Sequence, residues 1–170
     1  MKKWIVAAGV ATLLAGCLKT NDQITNPTCT YDACANAAPA TEVQALQDSL
    51  EARGITAIKH CSGVFYTIDS AGSSTGKTPT PCSYIAITYK GTLLNGTVFD
   101  EQAQPIAFDL NTLIPGWRNV LPLIKEGGKM HIYIPPTLGY GNKDRKDAAG
   151  NIVIPANSNL AFEVSLLAVQ

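Results

Sequence analysis

Residues 89–100 read YKGTLLNGTVFD, and LIPGW at 113–117, LGYG at 138–141 and IPANSNLAFEV at 154–164 follow in that order. Asn95-Gly96, set between Leu94 and Val98, is a hairpin turn signal and predicts a type I′ turn, whose two central residues both take positive φ. The chain on either side of this hairpin keeps the period of strands. GVFYTID begins at Gly63 and SYIAITYKG at Ser83, separated by a Gly/Ser/Thr/Pro loop from Ser70 to Pro81, and KMHIYIPP and NLAFEVSLLAV lie downstream. Pro115-Gly116 opens a short helix, because Pro115 suits a first turn; Trp117 to Leu123 supply its buried face and Gly127-Gly128 its end. An antiparallel sheet wrapped on one short helix, an α+β fold, is the expectation.

The 170 residues, 46% of them hydrophobic, suffice for one domain with a real core and an appended segment. Formal charge is zero, and removing Lys2 and Lys3 from 13 basic residues leaves 11 against 13 acidic ones. Nucleic acid, which draws on clustered positive charge, is an unfavoured partner. MKKWIVAAGVATLLAGC at the N-terminus has the basic, apolar and small-residue regions of an export signal, and its apolar run is too short to span a bilayer. Leu14-Ala15-Gly16-Cys17 resembles the lipobox of bacterial lipoproteins. That resemblance implies cleavage after residue 16, acylation of Cys17 and attachment to a membrane through several acyl chains. Leu18 stands where an acid resembles an inner-membrane retention signal, so the expected place is the cell envelope, on the periplasmic or surface side of the outer membrane.

Cys29, Cys34, Cys61 and Cys82 remain, an even number in an exported chain, and predict two disulfides with three connectivities open. One of these closes a small local loop between Cys29 and Cys34 and ties Cys61 to Cys82. The spacings lack the paired short gaps of structural zinc sites, so no metal is expected. Residues 17–40, rich in Thr, Asn, Asp, Pro and Ala without apolar period, read as a tether. Thr41 and Gln44 form a capping-box pattern, Val43, Leu46 and Leu50 share a helical face, and Gly54 supplies a stop. A short amphipathic helix over 42–53, docked on the main domain, is predicted. The predicted order is a signal over 1–16, the tether over 17–40, helix and connection over 41–61, and the main domain over 62–170.

Taken together, the four blocks make residues 62–170 similar to a peptidyl-prolyl isomerase domain of the FKBP type. The resemblance implies a five-stranded antiparallel sheet curled around the helix, with a proline-binding pocket between the two and no cofactor. It assigns Trp117 to the floor, Tyr89, Phe99 and Phe162 to the walls, and Ile106, Leu113, Val153 and Ile154 to the remaining contacts; Phe108 is read as core. The Ile114 backbone N–H and the Tyr140 hydroxyl become donors to substrate carbonyls, Asp100 the electrostatic partner of the rotating carbonyl, and Tyr89 the group that holds Asp100. Implied partners are proline-containing polypeptides of the envelope and ligands of the rapamycin type. The competing function is a module that binds proline segments or unfolded chains without turnover.

Two departures stand out against the family pattern. Only Glu101-Gln102-Ala103-Gln104 separate Asp100 from Pro105, so the arginine that pairs with the acid in many members is missing, and Ile106 replaces a common aromatic. NKDRKDAAGN, residues 142–151, is a longer loop than the shortest members have and is read as solvated, without the spacing of a calcium loop. Other chemistries find little support. His60 and His131 are the only histidines, no nucleophile stands beside a base, and Gly139-x-Gly141 lacks the third glycine of a dinucleotide loop.

Overall fold

The structure is a computed structural model that describes residues 29–170. The predicted signal over 1–16, Cys17 and the first part of the tether lie outside the described residues. Helix α1 (Ala40–Glu51) leads into strands β1 (Ile58–Lys59), β2 (Phe65–Ser70), β3 (Tyr84–Leu93) and β4 (Val98–Asp109). Helix α2 (Pro115–Val120), β5 (Lys129–Ile134), β6 (Arg145–Lys146), β7 (Ile152–Ile154) and β8 (Leu160–Val169) complete the chain. The main sheet is antiparallel in the order β1-β2-β5-β8-β3-β4, and β6 pairs separately with β7. The five predicted strands are thus present, with two-residue β1 added at one edge.

Alternation along the central strands decides where the core lies. Leu160, Phe162, Val164 and Leu166 of β8 point to one face with Met130, Ile132 and Ile134 of β5 and Ile85 and Ile87 of β3, all buried. Trp117, Val120 and Leu121 cover that face from α2 and the turn after it. Each such aliphatic side chain removed from water stabilises the fold by about 1.5–3 kcal/mol, which makes this layer the main source of rigidity beneath the site.

Local chemistry differed from the sequence expectation at four places. The 89–100 hairpin forms, but Gly96 alone has positive φ; the Gly96 N–H donates to the Leu93 carbonyl and the Leu93 N–H to that of Thr97. That is a three-residue loop, a type I turn closed by a left-handed glycine, with the Asn95 Oδ1 accepting from the Thr97 N–H at 3.0 Å. Helix α2 stops at Val120 rather than at Gly127-Gly128, because Pro122 has no N–H to donate to the Arg118 carbonyl. Helix α1 starts at Ala40, two residues early, behind Pro39, and the capping box is not made: Gln44 donates to the Asp48 Oδ1 at 2.7 Å instead. Its apolar face docks on the domain as expected, with Leu46 and Leu50 packed on Phe65, and Glu42 accepts from the N–H and hydroxyl of Thr137 at 2.9 and 2.6 Å.

The fourth difference is the segment before α1. Disulfides join Cys29 to Cys82 and Cys34 to Cys61, so the local Cys29–Cys34 loop does not form. Tyr31 donates its hydroxyl proton to the Asn119 Oδ1 at 2.5 Å, the Arg118 guanidinium lies 4.8 Å above the Tyr31 ring, and the Ala38 N–H donates to the Ser62 carbonyl. Residues 29–39, read from sequence as part of a tether, are therefore a strap stapled to the domain beside α2. Part of the 142–151 loop is likewise ordered by pairing, Arg145 with Ile154 and Lys146 with Ile152.

Candidate active site

A slip in the β3–β4 ladder shapes the cleft. Ile87 faces Ile106 whereas Tyr89 faces Gln102, so β4 spends two more residues than β3 over this interval. Pro105, which cannot donate to a ladder, sits in the bulge. The bend carries the two ends of β4 around the sheet's edge, and Asp100 and Phe108 end up facing one cavity together with Tyr89 of β3.

That cavity has a volume of about 280 Å³, at the lower edge of the ~300–1,000 Å³ common for ligand sites, which suits a small ring rather than a bulky one. Trp117, 4% exposed, lies at its base, with the Tyr89 ring 5.2 Å and the Phe162 ring 5.0 Å away, both edge-on. Leu113 and Ile114 close one end, and Tyr140, at the exit of the turn formed by Pro136–Leu138, stands at the other. Gly91 is required where it is: a Cβ there would come within 2.7 Å of the Phe99 ring and 2.8 Å of the Phe162 ring.

The polar groups are few. Tyr89 donates its hydroxyl proton to the Asp100 Oδ2 at 2.6 Å, as expected from the missing arginine. Burial, then the hydrogen bond and charge of Asp100, push the Tyr89 phenol well above its ordinary pKa. The Tyr140 phenol is raised as well, first by burial and then by Asp100, with the Arg145 charge acting in the opposite sense. Both phenols therefore remain O–H donors at neutral pH. Ile114 accepts at its carbonyl from the Trp117 and Arg118 N–H groups, while its own N–H has no partner among the described residues. The indole N–H of Trp117 is buried and also unpaired among them. The cleft thus offers donors for carbonyl oxygens, one carboxylate and an apolar floor, and the one aliphatic hydroxyl on its lining, Thr112, donates to the Asp109 carbonyl with no base beside it.

Of the residues singled out from sequence, Asp100, Tyr140, Ile114, Tyr89, Leu113, Trp117 and Phe162 come together around this cavity. Phe99, Ile106, Val153 and Ile154 do not line it. Phe99 packs edge-on behind Phe162 with ring centres 5.4 Å apart, Ile106 and Val153 are half-buried against the core, and Ile154 is buried in β7. Phe108, read from sequence as core, lines the cavity, and Thr112 was not singled out at all. The alternation of β4 could have signalled Phe108 only with the bulge at Pro105 already known. Among the described residues one group of metal-type ligands is gathered, Cys34, His60 and Cys61, but its two sulfurs are bonded to each other and leave a single nitrogen donor. His131 is engaged with Asp69 at 3.1 Å on the outer face of the sheet.

Comparison with known proteins bears on this geometry directly. Residues 76–167, 92 of the 170, match the family described as FKBP-type peptidyl-prolyl cis-trans isomerase. The chain is 40% identical over 112 residues to the FKBP-type peptidyl-prolyl cis-trans isomerase FkpA of Escherichia coli, covering 64% of this chain and 38% of that one. It is 41% identical over 112 residues to a probable FKBP-type isomerase of Haemophilus influenzae, covering 64% and 44%. The chain thus spans about two fifths of the length of the curated relatives it matches. Among solved structures, the Escherichia coli FkpA crystal structure superposes with a TM-score of 0.62 at 35% identity, over 82% of this chain and 61% of that one. A peptidyl-prolyl isomerase from Pseudomonas syringae pv. tomato gives 0.65 at 26% identity, over 78% and 97%.

Proposed function

The chain belongs to the family of FKBP-type peptidyl-prolyl cis-trans isomerases, and from that premise we propose that it rotates X-Pro bonds in proteins of the cell envelope and so assists their folding. An X-Pro bond has nearly balanced isomers but a barrier of about 18–20 kcal/mol, so uncatalysed exchange takes tens of seconds or more. Only the barrier needs lowering, and bringing about 100 s to about a millisecond asks for roughly 7 kcal/mol.

The cleft supplies this without covalent chemistry. Twisting breaks the amide resonance, so the half-rotated bond is less charge-separated than the planar one and loses less on leaving water. The floor of Trp117 with the Tyr89 and Phe162 rings receives the proline ring and excludes solvent. The Ile114 N–H and the Tyr140 hydroxyl hold the flanking carbonyls, which fixes the segment while one bond turns. Asp100, held by Tyr89, places its negative charge beside the carbonyl carbon as that group swings out of plane. Ligands of the rapamycin type, which present a ring and carbonyls to such a cleft, compete for it.

The observation that carries this reading is the enclosure of a ring-sized aromatic cavity by donors whose protons are held. Proline-limited peptide isomerisation tests it. The chain accelerates the slow phase, a rapamycin-type ligand blocks the acceleration, and Tyr140→Phe and Asp100→Ala each lower kcat/KM by about 10- to 100-fold with the fold retained. Peptide binding without any rate enhancement would replace the enzyme with the binding module. The domain divisions read from sequence, export through residues 1–16 and acylation of Cys17 for the outer membrane complete the proposal. Mass analysis of the native N-terminus decides that part, since an unmodified Cys17 removes the anchor.

A further inference from the structure

The cleft has a charged rim that the isomerase mechanism does not use. In the 142–151 loop both acids are turned onto their own surroundings: Asp144 accepts from the Ala156 N–H at 2.7 Å, and Asp147 from the N–H groups of Ala149 and Asn151 and the Asn151 side chain. The loop's three cations, Lys143, Arg145 and Lys146, are exposed and make no ion pair among the described residues. The stretch therefore presents net positive charge outward. Arg145 and Lys146 are both fixed by strand pairing, with Ile154 and Ile152, but the contact with the cleft is made by Arg145, whose guanidinium lies 4.9 Å above the ring of Tyr140. Tyr140 lines the cavity. A guanidinium stacked on a ring keeps its in-plane N–H groups free, and those donors match a carboxylate in a two-pronged bond.

We propose that Arg145 is a specificity-determining residue of this cleft, favouring proline-containing segments that carry an acidic side chain beside the proline on the Tyr140 side. The proposal rests on the isomerase reading for the position of the proline, and it deepens that reading by naming a substrate class. Asp100, the cleft's own carboxylate, opposes an acid brought near it, so the preference belongs to the flank that reaches Arg145 and not to the other.

The test uses the 170-residue chain and peptides with Glu, Gln or Lys on either side of one proline, read by kcat/KM and by fluorescence anisotropy of the labelled peptides. On one flank Glu is favoured over Lys by about three- to fivefold near 0.01 M salt, and the ratio falls towards one near 1 M. Arg145→Gln removes the preference, Arg145→Glu reverses it, and Lys143→Gln leaves it. A native chain without preference overturns the assignment, as does an Arg145→Gln variant that keeps it or a Lys143→Gln variant that loses it equally. Because each ratio is taken within one variant, altered overall activity does not affect it. Peptides bound but not turned over would sink the isomerase reading while the binding ratios still decide Arg145; no binding of any peptide sinks both.

Discussion

Two hydroxyls, of Tyr89 and Tyr140, and one glycine, Gly91, shape the cleft. Tyr89→Phe removes the donor that holds Asp100, and kcat/KM should fall by about tenfold, or ~1.4 kcal/mol, with thermal stability close to native; a variant as active as native would separate Asp100 from its proposed role. Both cleft phenols have a pKa above the ordinary value. A folded-state value above the unfolded one, near 10, means the folded chain holds these protons more tightly, so their contribution to stability is fully present below about pH 10 and is lost as pH rises beyond it. Turnover should accordingly be level between about pH 6 and 9, as stopped-flow rates across that range would check. Gly91→Ala forces a methyl against the Phe99 and Phe162 rings, and its expected cost is about 1–3 kcal/mol with a higher KM, because Phe162 yields towards the cavity. At this scale the sequence was informative through its resemblance to the family, which placed Trp117, Tyr89 and Phe162; size and aromaticity alone would suit a core as well as a cleft. Phe108 and Phe99 exchanged roles because identity says nothing about which side of a bent strand faces the cleft.

At the scale of elements, the strap over residues 29–39 matters most. The Cys29–Cys82 bond closes 53 residues and the Cys34–Cys61 bond 27, and chain-entropy arguments give roughly 4 and 3.5 kcal/mol for such loops taken singly. The smaller loop lies inside the larger, so the two do not add. Cys29→Ser with Cys82→Ser should lower the denaturation midpoint more than Cys34→Ser with Cys61→Ser, and a reversed order would show that strap packing rather than chain closure dominates. Freeing the strap also releases Tyr31 from Asn119, two residues from Trp117, so the first pair should raise KM as well. The strands were legible because a period of two survives any tertiary context that buries one face. The strap was not, since a run of Thr, Asn, Asp, Pro and Ala reads alike whether free or tied down, and only the partners of its cysteines distinguish the two. Helix α1 lies between these cases: its apolar face was plain, yet its start moved to Ala40 because the Pro39 carbonyl already accepts from the Glu42 and Val43 N–H groups.

Over the whole molecule, the sheet with α2 against it forms a rigid seat, while charge is confined to the rim and the outer face. His60, half-buried beside Ser62, has its pKa lowered by desolvation. A depressed folded-state value means that the folded chain resists protonation, so stability present above about pH 6.5 declines as pH falls through and below that value. Melting temperature followed from pH 7.5 to 5 should show this decline, and His60→Asn should flatten it; an unchanged slope would assign the loss to other groups. No helix among the described residues is long and apolar enough to cross a membrane. The amino-acid sequence determined by itself which stretches extend, where the short helix begins and which residue types crowd the C-terminal half, because hydrophobic period, proline geometry and aromatic size act locally and need no partner. Tertiary structure alone decided the pairing of the cysteines, the slip at Pro105 that turns Phe108 inward and Phe99 away, and the seating of Arg145 above Tyr140. Each of these depends on which distant residues are brought within a few ångströms, and that follows from closing the chain around one core rather than from any neighbouring pair in it.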